Sequence, residues 1–116
     1  MKMMNRASKR LRRAGLAVVL LAAGLLAASH APAASPVAVG IKDFKFAPSP
    51  LTVPAGATVT WTNHDEEPHT ITSASGAFSS AGLSNEEMFT QRFTRSGTYA
   101  YFCALHPHMK ATVVVR

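Results

Sequence analysis

The sequence contains very little cysteine: Cys103 is the only one among 116 residues. An internal disulfide is therefore excluded, and so is the Cys-x-x-Cys-His motif that attaches a c-type haem. A single thiol in an oxidising compartment is a liability unless something occupies it. A bound metal ion would occupy it and would also stabilise a core that is small for a chain of this length.

The sequence also lacks a hydrophobic run long enough to cross a membrane. The longest run, residues 14–28, has 15 residues, whereas a transmembrane helix needs about 20. Six lysines and arginines precede this run, and the small residues 31–33 follow it. This order of basic region, apolar run and cleavage site is typical of an export signal. We therefore expect residues 1–33 to be removed and residues 34–116 to form one domain, periplasmic or otherwise exported.

Two alternatives stay open for the first 33 residues. The apolar run would remain as a membrane anchor if it were not cleaved, although its length argues against this. Arg12-Arg13 permits export by the twin-arginine route, but the surrounding residues match that signal weakly. Whether export uses the Sec or the twin-arginine route, we expect no stable membrane insertion once the signal has been removed.

The predicted mature domain has no excess of charge of either sign. Of the 12 lysines and arginines in the chain, 6 lie within residues 1–33, so 6 remain against all 6 aspartates and glutamates. The net charge of the whole chain, +6, therefore comes from the export signal. A nucleic-acid-binding domain needs a basic patch, so we expect no nucleic-acid partner.

The predicted mature domain shows period-two alternation and little helical periodicity. Apolar residues alternate over residues 37–41 and again over 98–103, which predicts strands with one buried face. The alternation changes phase at Lys42-Asp43, where we expect a bulge or bend in the first strand. Residues 73–87 are rich in serine, alanine, glycine and acids and are predicted to be a loop. About seven to eight short strands with frequent turn signals predict an all-β Greek-key β-sandwich.

Three side chains that could bind a metal ion lie close together in the segment from Cys103 to Met109. Cys103, His106 and Met109 are each separated by two residues, and His69 stands at the predicted entrance of an upstream strand. Together they offer one thiolate, two imidazoles and one thioether. Two histidines and a cysteine in a trigonal plane, with a weak axial methionine, form a blue-copper electron-transfer site. The pattern predicts one copper ion with a ligand set of His69, Cys103, His106 and Met109.

Three alternatives explain this pattern less completely than a copper site does: core residues without a metal, a zinc site and a catalytic thiol. A lone buried cysteine or methionine is usually a core residue, but here the ligand types fall together. Zinc would suit the cysteine and histidines, yet structural zinc sites rarely include a thioether. A cysteine–histidine nucleophile would leave Pro107 and Met109 unexplained, and no oxyanion or substrate site is recognisable in the sequence. We therefore expect a protein that is not an enzyme.

The polar residues around the motif have their own predicted roles. Asn63 is expected to support the copper site without binding the metal, because it follows the Trp61 strand and can bridge the backbone of the ligand loop. An ordinary turn residue at a strand end is the alternative. His64 and His108 are predicted to be exposed and not to bind the metal. The acidic residues 65–67 are expected to be solvated, with steering of a basic partner as a second hypothesis.

The chain resembles the cupredoxins over about residues 36–116. The resemblance lies in the run GTYAYFC at residues 97–103, in the Cys-x-x-His-Pro-x-Met spacing that begins at its last residue, and in a valine-rich last strand. Amicyanins are the most similar subgroup, because their copper loop has the same short spacings and Trp61-x-Asn63 followed by Pro68-His69 looks like their first-histidine segment. The resemblance implies copper ligands at His69, Cys103, His106 and Met109, with Asn63 in support.

The resemblance also bears on partners. Amicyanins serve methylamine dehydrogenase and a c-type cytochrome, which implies partners of these kinds here: a c-type cytochrome or a periplasmic dehydrogenase or reductase. One position departs from the pattern, since amicyanins generally carry phenylalanine where this chain has His108. That position borders their apolar docking patch, so the identity of the partner is left open.

These observations predict a monomeric, soluble, exported protein that carries one electron at a time between larger redox proteins, to which it docks transiently. Electrons would pass through the edge of the His106 ring, the ligand expected to lie nearest the surface. A copper delivery or storage protein of the same fold is the alternative. A small β-sandwich binding module without a metal is a further one.

Overall fold

The computed structural model describes residues 15, 17–20, 22–24 and 36–116. The first three of these ranges belong to a separate unit, residues 1–30, and adopt neither helix nor strand. No helix in the described part of the chain is long and apolar enough to span a bilayer. The predicted export signal and its cleavage site fall largely outside the described residues and stay a prediction.

Eight strands build the domain, and residues 36–116 contain no helix. The strands are β1 (Val37–Lys42), β2 (Lys45–Ala47), β3 (Leu51–Val53), β4 (Ala57–Asn63), β5 (Thr72–Ser73), β6 (Met88–Phe93), β7 (Gly97–Cys103) and β8 (His106–Val115). One sheet has the order β2-β1-β4-β6 and the other the order β3-β8-β7-β5. β1 runs parallel to β4 and β3 parallel to β8, while the other pairs are antiparallel. The predicted all-β sandwich is confirmed.

Alternate residues of both sheets meet in a single apolar core. β4 alternates buried and half-buried side chains along its whole length, as a strand with one face on the core should. Trp61 on this strand is fully buried, and its ring centroid lies 6.4 Å from that of Phe93 and 5.6 Å from that of Tyr101. Since Tyr101 belongs to the second sheet, these aromatic contacts join the two sheets. Tyr101 also lies two residues before Cys103, so the same cluster packs the strand that ends at the predicted site.

The phase change at Lys42-Asp43 is a reversal of the chain, so the prediction of a bulge or bend within one strand is wrong. β1 pairs antiparallel with β2, with Lys42 opposite Lys45. The two residues between them have positive φ, 51° at Asp43 and 59° at Phe44, as in a two-residue type I′ hairpin turn. Both turn amides donate to the carboxylate of Asp65, at 2.8 and 3.0 Å. These hydrogen bonds from a residue distant in sequence stabilise Phe44 in a positive-φ conformation that is unusual for bulky residues.

The last strand begins earlier than the sequence suggests. The β-branched run at residues 111–115 predicts a last strand there, preceded by a tight turn that carries His106 and Met109, but β8 already starts at His106. β7 and β8 pair almost throughout and end with Cys103 opposite His106, after an irregularity in the register. The turn between them is therefore only residues 104–105, and both predicted ligands after it lie on a strand.

Candidate metal centre

Three predicted ligands converge where β7 and β8 meet the connection between β4 and β5. The ligand atoms of His69, Cys103 and His106 all lie within 4.8 Å of one another. Cys103 Sγ is 3.7 Å from His69 Nδ1 and 3.5 Å from His106 Nδ1. His69 and Cys103 are buried, whereas His106 is half-buried. The structure thus brings these three residues together and makes His106 the ligand nearest to solvent.

The backbone positions of the three residues are set by strand pairing. Cys103 ends β7 and His106 begins β8, so the hairpin places them opposite each other. His69 is held by a two-bond bridge to Leu83, in which His69 N donates to Leu83 O at 3.1 Å and Leu83 N donates to His69 O at 2.7 Å. Backbone pairing therefore fixes the chain positions of His69, Cys103 and His106.

The donor set fits a metal ion held between the three atoms. With a metal–sulfur bond of about 2.3 Å and a metal–nitrogen bond of about 2.0 Å, a trigonal arrangement separates sulfur and nitrogen by about 3.7 Å. The separations of 3.7 and 3.5 Å at Cys103 match this geometry.

A carboxylate determines which nitrogen of His69 is free. Nε2 of this ring lies 2.8 Å from Asp65 Oδ2, and both side chains are buried. Burial raises the pKa of Asp65, but hydrogen bonds from two backbone amides and from the His69 ring outweigh it and lower the pKa from its usual value. An ionised carboxylate can only accept, so Nε2 carries the proton and Nδ1 presents a lone pair toward Cys103.

Thr70 supports the sulfur and the ligand turn together. Its N–H donates to Cys103 Sγ at 3.3 Å, and its hydroxyl accepts the N–H of Ala104 at 2.7 Å. Hydrogen bonds to a metal-binding group orient it and tune the metal. The sequence did not indicate this role, because a threonine after a histidine at a strand entrance is unremarkable by itself.

Asn63 braces the connection that carries His69. Its side chain binds backbone groups of Asp65, Glu67 and Leu83, each at 2.9 Å. Within residues 36–116 it makes no hydrogen bond to residues 103–109, and the bridging of that loop predicted for it is made by Thr70. The support that Asn63 gives to the site is therefore indirect, through the backbone on either side of His69.

Met109, His64 and His108 occupy positions compatible with their predictions. Met109 lies on β8 three residues after His106 and is buried in the same apolar cluster as Cys103. Its assignment as the axial ligand stays a prediction. His64 and His108 are exposed, as predicted, and His64 lies 3.2 Å from the carboxylate of Glu86.

Phe44 covers the two histidines, which the sequence did not reveal. Its ring centroid lies 5.1 Å from that of His69 and 5.0 Å from that of His106, edge-on in both cases. The side chain is 42% exposed, so it stands between the imidazoles and solvent. In the sequence, only the phase change at Lys42-Asp43 pointed to this segment. A phase change does not predict which residues the reversed chain will contact.

Comparison with known proteins gives consistent matches. A family model described as a cupredoxin-like domain matches residues 15–115. Amicyanin of Paracoccus versutus is 34% identical over 95 residues, which cover 78% of this chain and 71% of the relative. Amicyanin-alpha of Methylorubrum extorquens is 36% identical over 104 residues, or 85% and 87% of the two chains. Plastocyanin of Scenedesmus fuscus is 40% identical over 85 residues, or 61% and 86%.

Solved structures give the same result. An oxidised amicyanin variant superposes with a TM-score of 0.67 at 32% identity, covering 70% of this chain and 82% of the amicyanin. A copper-containing nitrite reductase from Thermus scotoductus also reaches a TM-score of 0.67 at 28% identity. That match covers 71% of this chain but only 22% of the reductase chain.

Proposed function

The chain belongs to the cupredoxin-like domain family, and we propose that it carries single electrons on one copper ion held by His69, Cys103, His106 and Met109. The observation that carries the proposal is the convergence of two imidazole nitrogens and the only thiol of the chain on one point. Bound copper supplies a one-electron couple between Cu(II) and Cu(I). Amicyanins support the choice of metal, because four of the matching amicyanin structures are Cu(I) forms.

The surrounding residues keep the ligand positions fixed. Asp65 holds His69 through Nε2, and Thr70 holds the sulfur of Cys103. His106 is held by its strand pairing opposite Cys103. Because these contacts are made within the protein, the ligands would need to move little if a bound copper ion gained or lost an electron.

The His106 ring is the route for electrons, because it is the ligand that reaches the surface. Exposed apolar side chains flank it, with Leu105 at 53% and Phe44 at 42% exposure, and Pro68 and Pro107 are exposed as well. A small apolar surface of this kind suits brief contacts better than a permanent complex. The partners are redox proteins, either a c-type cytochrome or a dehydrogenase or reductase of the same compartment, and the carrier itself is a monomer.

The protein works outside the cytoplasm, as a carrier and not as an enzyme. The signal pattern of residues 1–33 supports export. The convergence of His69, Cys103 and His106 supports a metal-based carrier. The reductase from Thermus scotoductus supports no enzymatic activity here, because the match leaves most of its chain uncovered.

A visible spectrum tests this function. Oxidised, copper-loaded protein should show an intense thiolate-to-Cu(II) charge-transfer band that vanishes on reduction. Cys103→Ala should lose the band, because the chain has no other thiol. A colourless Cu(II) adduct would reject the electron carrier, and a failure to take up copper would favour a metal-free binding module.

A further inference from the structure

The carboxylate of Asp65 receives three hydrogen-bond donors. Oδ1 accepts the N–H of Asp43 at 2.8 Å, and Oδ2 accepts the N–H of Phe44 at 3.0 Å. Oδ2 also lies 2.8 Å from the Nε2 of His69. Asp65 is only 7% exposed, and a buried charge is tolerated when donors surround it in this way. The expectation of a solvated side chain is therefore wrong for this residue, although it holds for residues 66–67, which are exposed.

The backbone of Asp65 is held as firmly as its side chain. Its N–H donates to Asn63 Oδ1 at 2.9 Å, and its carbonyl accepts from Asn85 Nδ2 at 3.0 Å. Asn63 is itself fully buried at the end of β4. The hydrogen bonds of Asn63 and Asn85 therefore fix the backbone of Asp65 close to the end of β4.

Asp65 is linked to the predicted copper ligands in two ways. The first route is the direct hydrogen bond to His69. The second runs through the turn between β1 and β2, whose Phe44 ring lies against both His69 and His106. A substitution at Asp65 would therefore affect His69 both directly and through Phe44, and His106 through Phe44 alone.

We propose that Asp65 is a positioning residue of the copper centre, which orients the His69 ring and holds Phe44 across both histidines. This inference rests on the proposed function. A carboxylate that accepts from a metal-bound imidazole fixes its orientation and raises its basicity, and loss of such a partner typically weakens metal binding about 10–100-fold. The negative charge also favours Cu(II) over Cu(I), since attraction grows with the charge of the ion. Asp65 should therefore lower the reduction potential.

Asp65→Asn tests the proposal, with Glu66→Gln as the matched control. Each variant removes one acidic charge from the same connection, but only the first removes a buried acceptor. We expect Asp65→Asn to bind copper about 10–100-fold more weakly and to raise the midpoint potential more than Glu66→Gln does. Amide exchange at Asp43 and Phe44 should become faster in Asp65→Asn alone. Equal copper affinity, potential and exchange in the two variants would overturn the proposal. The blue band of the wild-type protein reports separately on the proposed function.

The wild-type protein decides the question if Asp65→Asn fails to fold. In the reduced, copper-loaded form, nuclear magnetic resonance reports the ring N–H protons of both histidines. A bond to Asp65 should move the Nε2 proton of His69 strongly downfield of that of His106, which has no such partner among the described residues. Ring protons at similar positions in the spectrum would overturn the proposal.

Discussion

The N–H of Thr70 donates a hydrogen bond to the sulfur of Cys103 across a separation of 33 residues. Thr70 directly follows one ligand, His69, and its hydroxyl holds Ala104, which directly follows the other. Two contacts therefore tie the two halves of the candidate copper site together from within the protein.

Thr70→Val should remove the hydrogen bond between the Thr70 hydroxyl and Ala104 while the side chain keeps its shape. Valine has no acceptor for the N–H of Ala104 and no hydroxyl for Thr72 Oγ1, which lies 2.9 Å from the Thr70 hydroxyl. The loss of these two hydrogen bonds together costs about 1–3 kcal/mol. We expect the free energy of unfolding of the copper-free protein to fall by about this amount and the visible band of the copper form to shift. Thr70→Ser keeps the hydroxyl and is the control. Denaturant unfolding and visible spectra that do not differ between the two variants would contradict the role of Thr70.

Met109→Leu should keep the blue colour and change the reduction potential. As the axial ligand, the Met109 thioether would form the weakest of the four copper bonds, and a leucine of similar volume costs less than about 1.5 kcal/mol of stability. Voltammetry and the visible spectrum measure the two effects. Met88→Leu is the control, because Met88 is 65% exposed on β6 and should leave both unchanged. Complete loss of copper binding in Met109→Leu would show that the axial assignment is wrong.

Tyr101 should make the fold less stable in alkaline solution. The residue is buried, and its hydroxyl has no hydrogen-bond partner in the described part of the chain. Burial raises its pKa to about 12, and the nearby Trp61 indole offsets this only in part, without reaching hydrogen-bond geometry. The unfolded chain has the usual pKa of 10.0. The stabilisation from Tyr101 is therefore complete below pH 10.0 and is lost as the pH rises toward about 12.

Tyr101→Phe should remove this alkaline loss and cost little at neutral pH, because the hydroxyl has no hydrogen bond to lose. Tyr99→Phe is the control, since the Tyr99 hydroxyl donates to Arg95 O at 2.8 Å near the surface. Denaturant unfolding of the copper-free proteins, at neutral pH and between the two pKa values of Tyr101, measures the difference. A Tyr101→Phe protein that loses stability as steeply as the wild type does would disprove the assignment.

A negative charge at Leu105 should slow electron exchange without altering the copper centre. Leu105 is exposed and directly precedes His106, so two carriers that exchange electrons through this face would bring like charges together. Such repulsion costs more than about 1.4 kcal/mol, or about tenfold in rate. Line broadening in mixtures of oxidised and reduced protein measures the exchange between copies. We expect slow exchange in Leu105→Glu but not in Met88→Glu, with an unchanged visible band in both; wild-type exchange in Leu105→Glu would place the electron route elsewhere.

The sequence predicted the parts of the site that depend on short spacings. Cys103 and His106 lie three residues apart on one hairpin, and the alternation that ends at Cys103 already indicated the strand before it. His69 was recognisable because imidazole and thiolate are complementary ligands for copper. The sandwich followed from period-two alternation between turn signals, which is a local property of the chain.

The supporting roles of Asp65, Thr70 and Phe44 were beyond sequence reasoning because long-range contacts define them. Asp65 stands beside two exposed acids of similar chemistry, and only the fold brings the amides of residues 43–44 to its carboxylate. The type I′ turn that carries Phe44 depends on that same contact. Asn63 was predicted to bridge the ligand loop, but Thr70 makes the hydrogen bonds to Cys103 and Ala104.

One measurement separates an electron carrier from a copper delivery protein most directly. The oxidised, copper-loaded protein is titrated anaerobically with a one-electron reductant in the presence of a Cu(I) chelator, while the visible band and the bound copper are followed. We predict that one electron per chain abolishes the band, that copper stays on the protein, and that reoxidation restores the full band. Transfer of copper to the chelator on reduction, or a band that does not return, would contradict the account.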